Sequence, residues 1–388
     1  MAGRHFLQIP GPTPIPDRLQ RAMHRASEDH RSSSFPTLTR SILSRLPRVV
    51  NQTKGEHFVF PSTGTAMWEA ALVNTLEPGA KLLAVRLGQF SHLFIQAARA
   101  LGYRVDVIEI PWGESTQPDL IEAALVADVA HEIQGVMIVH NETATGVTSD
   151  VAAVRDAMDR AKHPALLYVD GVSSIGSLDF QFDAWGVDCS IAGSQKGFML
   201  PAGLGILGMS DKALSLVASV RTPRSYFDLR PMRDHNSRGY FPYTPALSLL
   251  FGLDESLTML LDEGMDEVAA RHRRMAIGVR AAVKAWELKE CAKRPEIASN
   301  TLTAVVMPNG HDAARVIDIA FKRYDVSLGG GLGELAGKVF RIGHLGDTNA
   351  LTLAGAMSGI EMALADAGVP ITLGVGIGAA LTTWRLPA

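Results

Sequence analysis

The chain has 388 residues, of which 47% are hydrophobic and 20% charged, and its formal net charge is −3. That length exceeds one ordinary core and predicts two domains, with the balance of a soluble globular protein. A weakly acidic chain without a basic block speaks against a nucleic-acid surface.

Met1 to Pro16 carries Pro10, Pro12, Pro14 and Pro16 and no continuous apolar stretch. Proline fixes its own φ and biases its predecessor away from helix, so residues 1–16 read as an extended arm and not as a signal peptide. From about Phe58 to Met209, short apolar runs alternate with helical patterns. The runs are KLLAVRL (Lys81 to Leu87), YRVDVIEI (Tyr103 to Ile110), QGVMIVH (Gln134 to His140), ALLYVD ending at Asp170, and CSIAG (Cys189 to Gly193). Phe90 to Leu101, Asp119 to Ala127 and Asp150 to Ala161 have helix-like spacing between them. The alternation predicts an α/β fold, its mostly parallel sheet flanked by helices, in a large domain over residues 17–262. Glu263 to Glu287 is predicted as a long helix leading into a small C-terminal α+β domain, residues 263–388. There the order is strand (Leu302 to Met307), helix (Asp312 to Lys322), two strands (Val326 to Leu328, Val339 to Gly343) and helix (Ala350 to Leu364), which predicts an antiparallel sheet. Leu351 to Val369 carries Glu361 and Asp366 and reads as an amphipathic helix, not a membrane span. Two cysteines, Cys189 and Cys291, make no disulfide framework and point to a reducing cytoplasm.

Ligands of parallel sheets collect beyond the carboxyl ends of the strands. His140, Asp170 and Lys196 all fall at such ends, in one expected crevice. An acid at one strand end and a lysine at the next match the needs of pyridoxal phosphate. The lysine forms a Schiff base with the aldehyde, and the carboxylate keeps a proton on the pyridine nitrogen. VFPSTGTAMWEAALVNTL (Val59 to Leu76) passes through Ser62, Thr63, Gly64 and Thr65 into a helical pattern. Such a helix N-terminus suits a phosphate, although Ser and Thr are also ordinary N-caps. Phe90 reads either as a ring stacked on the pyridine or as core, and Thr143 either as a donor to the ring hydroxyl or as a turn residue before Gly146. GLGELA (Gly331 to Ala336) matches a dinucleotide fingerprint, but the following Lys338 to Ile342 is extended where that motif needs a helix. HEIQG (His131 to Gly135) lacks the second histidine of a zinc-protease helix, and no metal site is expected.

Taken together, the stretches IPGPTPIP, FPSTGTAMWEAALVNTLEPG, HNETATGVTSDVAAVR, HPALLYVDGVSSIGS, GSQKGFMLPAGLG, YFPYTPALSLLFGL and GKVFRIGHLGD resemble the class V, fold-type I pyridoxal phosphate aminotransferases. The resemblance runs nearly the whole length and is strongest to the glyoxylate aminotransferases, both the serine- and the aspartate-using groups. It implies roles position by position. Lys196 is the Schiff-base lysine and Asp170 the pyridinium partner. Gln195 touches the cofactor phosphate, which Thr63, Gly64 and Thr65 cradle. Phe90 stacks on the ring and Thr143 contacts its hydroxyl. Thr244 reaches the phosphate of a neighbouring subunit, which implies a homodimer with its active site at the interface; relatives add a tyrosine, for which Tyr240 and Tyr243 compete. Arg341 holds the substrate α-carboxylate, and Gly11 of the arm offers backbone contacts to the same end.

The implied activity is ping-pong transfer of the amino group of L-serine or L-alanine to glyoxylate, giving glycine and a 2-oxo acid. L-Aspartate is the alternative donor and would need a second cation, with Arg31, Arg86, Arg224 and Arg238 as candidates. A cysteine desulfurase needs a reactive cysteine on a mobile loop, and neither cysteine is so placed. A non-catalytic pyridoxal phosphate-binding regulator would not need Arg341.

Overall fold

The computed structural model describes residues 3–385. Its centre is a seven-stranded sheet in the order Glu56–Pro61, Leu204–Met209, Cys189–Gly193, Leu166–Asp170, Ile133–Val139, Lys81–Arg86, Arg104–Glu109. The last five are mutually parallel, and Leu204–Met209 runs against both its neighbours. Leu166–Asp170 and Cys189–Gly193 are buried at every residue, as the uninterrupted apolar runs of a sheet covered on both faces require. The edge strand Arg104–Glu109 alternates in exposure and carries Arg104, Asp106 and Glu109, charges that discourage pairing with a further strand. Leu204–Met209 is not among the expected strands; its two glycines, Gly205 and Gly208, dilute the β-branched signal. Both lie where a side chain would strike neighbours, Gly205 against Met67 and Ser62, Gly208 against Ser190.

The second sheet has the order Phe6–Gln8, Val326–Gly330, Val339–Gly343, Leu302–Val306, Lys289–Glu290. It is antiparallel as expected, except that Phe6–Gln8 joins its edge in parallel. The extended arm is therefore partly a strand of this sheet. Gly264, with φ +88°, divides the chain between the helices Leu247–Glu263 and Met265–Ala285, so the expected linking helix starts two residues later. A further helix, Val375–Arg385, follows Ala350–Asp366 and is absent from the sequence expectation. Among the described residues no helix is long and apolar enough to cross a membrane.

The final helix is locked to Met265–Ala285 by reciprocal packing of tryptophan on glycine. Trp384 lies over Gly278, and Trp286 lies over Gly376. Trp286 is 1% exposed and has no room to retreat. Ala has better helix propensity than Gly by ~1 kcal/mol, but overpacking costs about 1–3 kcal/mol. Gly376→Ala is accordingly expected to lower the thermal midpoint; an unchanged or raised midpoint would show that the indole has space to move.

Candidate active site

The carboxyl edge of the parallel strands brings the expected residues to one face. Asp170 ends its strand and is buried. Val172 N donates to its Oδ1 at 2.8 Å and Trp68 Nε1 to its Oδ2 at 3.0 Å. Burial pushes the Asp170 carboxyl up to about 6, against the opposing pull of those two donors; Glu142 adds to the rise and Lys196 opposes it.

Lys196 lies three residues beyond the neighbouring strand. Burial, reinforced by the Arg341 charge and opposed by Asp170, lowers its amine to about 8. The amine donates to the Pro10 carbonyl of the arm. Gly11 follows with φ +104°, and a Cβ there would overlap the Lys196 side chain, so both conformation and space demand glycine. Thr13 N donates to Gln195 O at 3.2 Å, fastening the arm across the lysine loop.

Arg341, central in Val339–Gly343, is 8% exposed, and burial lowers its guanidinium to about 10. Its Nε donates to Gly330 O at 2.8 Å and its Nη1 to Thr143 O at 3.0 Å. No protein acceptor for Nη2 is present among the described residues. Pro10 packs on Gly329 beside the Arg341 stem, so the arm runs between the arginine and the lysine.

At the start of Gly64–Thr75, Thr63 is extended and its side chain makes no capping hydrogen bond. Ordinary N-capping is thus not what this threonine does. The first amides, those of Gly64 and Thr65, have no intrahelical acceptor. Nearby, Gln195 Oε1 and Ser62 Oγ are buried without partners, and a Cβ on Gly193 would touch both Gln195 Oε1 and Gly64 N. Free amides at a helix N-terminus, with unsatisfied polar side chains around them, fit the phosphate of pyridoxal phosphate. Asp170 fits its ring nitrogen, and Lys196 its aldehyde.

Phe90 is half-buried in the first turn of Gln89–Ala100. Thr143 is buried, and its hydroxyl has no hydrogen-bond partner among the described residues. Of the two candidate tyrosines, Tyr240 donates to Ser32 O at 3.2 Å, whereas the Tyr243 hydroxyl is buried and unpartnered, its ring stacked 4.7 Å from Tyr226. Thr244 is exposed.

His140 requires a correction. Its position at a strand end predicts a place in the crevice, but its Nδ1 pairs with Ser174 Oγ at 2.8 Å and its ring lies edge-on to Phe180 and Trp185. Burial pushes it down to about 4, and the ring is a neutral packing element engaged with neither ionisable group.

Two residues escape the sequence reading. Trp68 has the look of an apolar position in a buried helix. Glu142 has the look of a turn residue, yet it is fully buried and accepts from Phe90 N at 3.1 Å, Ser91 N at 3.0 Å and Ala144 N at 3.0 Å. Burial raises its carboxyl, while those amides pull it down. Among the described residues no cluster of His, Cys, Asp and Glu is suited to a metal. A recess of about 870 Å³ beside Asp188 and Ser210 lies at the opposite edge of the sheet and holds none of these groups.

The pattern of the aminotransferase class-V family matches residues 17–331. The chain is 55% identical to the serine–glyoxylate aminotransferase of Methylorubrum extorquens, over 99% of this chain and 96% of that one. It is 51% identical to the L-aspartate–glyoxylate aminotransferase of Paracoccus denitrificans, over 99% and 97%. Among solved structures it resembles the ureidoglycine–glyoxylate aminotransferase of Bacillus subtilis, with a TM-score of 0.92 at 25% identity, covering 100% and 99% of the two chains. The expected fold-type I architecture is borne out.

The lysine environment is directly testable. In cofactor-free protein, Lys196 should react with an amine-directed acylating reagent with a midpoint near pH 8. Surface lysines should react with a midpoint near ~10.4. Arg341→Gln removes a repelling cation and should raise the Lys196 midpoint; Asp170→Asn removes an attracting anion and should lower it. Peptide mass spectrometry across pH reads both signs.

Proposed function

The chain belongs to the aminotransferase class-V family, and from that membership we propose that it moves the amino group of L-serine or L-alanine onto glyoxylate. The products are glycine and a 2-oxo acid, formed in two half-reactions. As a member of the family it is a pyridoxal phosphate-dependent transaminase. The observation that carries the reading is the meeting of a buried amine and a buried carboxylate at the carboxyl edge of the parallel strands with a buried guanidinium from the second sheet.

Bound pyridoxal phosphate supplies an electron sink for charge developing at the substrate α-carbon. Asp170 would keep a proton on the ring nitrogen, and its two N–H donors favour the ionised carboxylate this demands. Lys196 would hold the cofactor at rest, and its amine, freed when a donor binds, is the group placed to take the proton from the substrate Cα. An amine lowered to about 8 is neutral in a useful fraction near neutral pH. Arg341 receives the α-carboxylate: two of its nitrogens are tied to carbonyls, which orients Nη2 for an incoming oxygen. Gly64, Thr65, Thr63 and Gln195 would hold the phosphate, Phe90 would cover the ring, and Thr143 would donate to its hydroxyl.

The donor preference rests on where the cations are. Arg224 is spent on the carbonyls of Val217, Val220 and Thr222. Arg86 pairs with Glu109 at 2.6 Å and Arg238 with Asp234 at 2.6 Å. Three of the four candidates are thus committed elsewhere, and Arg31 alone remains to meet a second donor carboxylate. A small neutral donor, which needs no such cation, is the reading preferred over L-aspartate. We read the enzyme as a cytoplasmic homodimer in which Tyr243 and Thr244 reach the neighbour's phosphate. The unpartnered Tyr243 hydroxyl, the exposed Thr244 and the two free, buried cysteines support that reading.

Borohydride reduction followed by peptide mapping should fix the cofactor to Lys196 and nowhere else, and Lys196→Ala should abolish turnover. Arg341→Gln should raise the donor KM about 10–100-fold, the worth of a charged hydrogen-bonded pair, with cofactor affinity nearly unchanged. Half-reaction rates should rank serine and alanine above aspartate; the reverse order would replace the donor assignment.

A further inference from the structure

We propose that Trp68 is a positioning residue for amino-group transfer, its indole N–H holding the Asp170 carboxylate in the orientation that the cofactor's ring nitrogen needs. The inference rests on the pyridoxal phosphate reading and adds a residue to it.

The geometry is built on one helix. Gly64 opens Gly64–Thr75 with one of the amides assigned to the phosphate, and Trp68 lies four residues on. Residues at i and i+4 share a face, about 6 Å apart along the axis. One helical turn therefore addresses both ends of a small phosphorylated ring: the phosphate through backbone N–H, the ring nitrogen through Trp68 and Asp170. Trp68 is 3% exposed, and its indole is stacked on Phe94 at 5.1 Å with the planes 18° apart. Phe94 belongs to Gln89–Ala100, the helix that carries Phe90 one turn earlier. The indole plane is thus set by the element that presents the stacking ring.

Trp68 is the side-chain donor to Asp170 among the described residues, and Val172 N is its backbone donor. The charged groups facing that carboxylate are Lys196 from the adjoining strand end and Glu142 from the two-residue strand Asn141–Glu142 that follows Ile133–Val139. Glu142 and burial favour the neutral acid, whereas Lys196 and the two N–H groups favour the carboxylate. Removing the indole donor shifts that balance toward the acid, which cannot keep the ring nitrogen cationic.

The test is Trp68→Phe in the holoenzyme. The acid limb of the kcat/KM profile should move to higher pH by up to about one unit, the equivalent of one hydrogen bond to a charged group. At a pH on the acid limb kcat should fall by up to about tenfold, while the donor KM, governed by Arg341, stays within about twofold. In an Asp170→Asn background the same change should cost less than about twofold, because Trp68 then has no carboxylate to hold. A readout without turnover is the affinity of the apoprotein for pyridoxal phosphate relative to an analogue with carbon in place of the ring nitrogen. That ratio should narrow in Trp68→Phe. Phe94→Leu, which removes the stacked ring but keeps the indole N–H, should lower the thermal midpoint and move the acid limb less than Trp68→Phe does. Should Trp68→Phe not fold, the ¹⁵N-indole resonance of Trp68 in otherwise unaltered protein must still move on Asp170→Asn. An unmoved limb, an unmoved ratio or an unmoved resonance overturns the inference. Wild-type apoprotein that takes up neither compound would instead overturn the cofactor reading itself.

Discussion

Two opposite charges kept from water at the ends of adjacent parallel strands are the constraint around which the rest is arranged. Burial alone would neutralise both Asp170 and Lys196, since desolvation raises a carboxyl and lowers an amine. The structure opposes that tendency at the acid, with an amide on Oδ1 and an indole on Oδ2, and reinforces it at the amine, with the Arg341 cation close by. The rise of the acid is thereby limited to about 6, so that it still ionises at neutral pH, while the base is biased toward its neutral form. That is the division of labour a proton-transfer site requires.

Much of this is legible in the sequence because parallel strands advertise their ends. An apolar run buried on both faces must stop where the chain meets solvent or ligand, so Asp170 and the Gly-Ser-Gln-Lys turn stand out from the order of residues alone. The helix after Ser62 is legible for a similar reason, hydroxyls and glycine preceding a periodic pattern. Arg341 is different. A lone arginine on a short strand carries no local signal, and only the resemblance to a family raises it. Trp68 and Glu142 are invisible because their meaning lies in contacts 102 and 52 residues away along the chain. His140 misleads: a strand-end position shows where a backbone stops, not which way its ring turns.

The elements that the sequence conceals have a common cause. Leu204–Met209 and Val375–Arg385 both contain glycines, Gly205, Gly208, Gly376 and Gly378, which weaken strand and helix propensity. Three of these make room for a neighbour: Gly205 for Ser62 and Met67, Gly208 for Ser190 and Gly376 for Trp286. Tertiary packing overrides propensity there, and packing is not written locally. The proline-rich arm bends at residues 9–12, where Gly11 has a positive φ, and its prolines at 10, 12, 14 and 16 hide the three-residue strand that precedes them.

Phe6–Gln8 has a consequence for handling the protein. It closes the edge of the second sheet by pairing with Val326–Gly330, and two residues later the same segment roofs the lysine. A chain shortened past Gln8 would bare a row of unpaired amides and carbonyls, a template for sticking to other copies. The closed sheet edge and the cover over Lys196 are thus tied to one short stretch of backbone, which makes the far end of the molecule the safer place for an affinity tag.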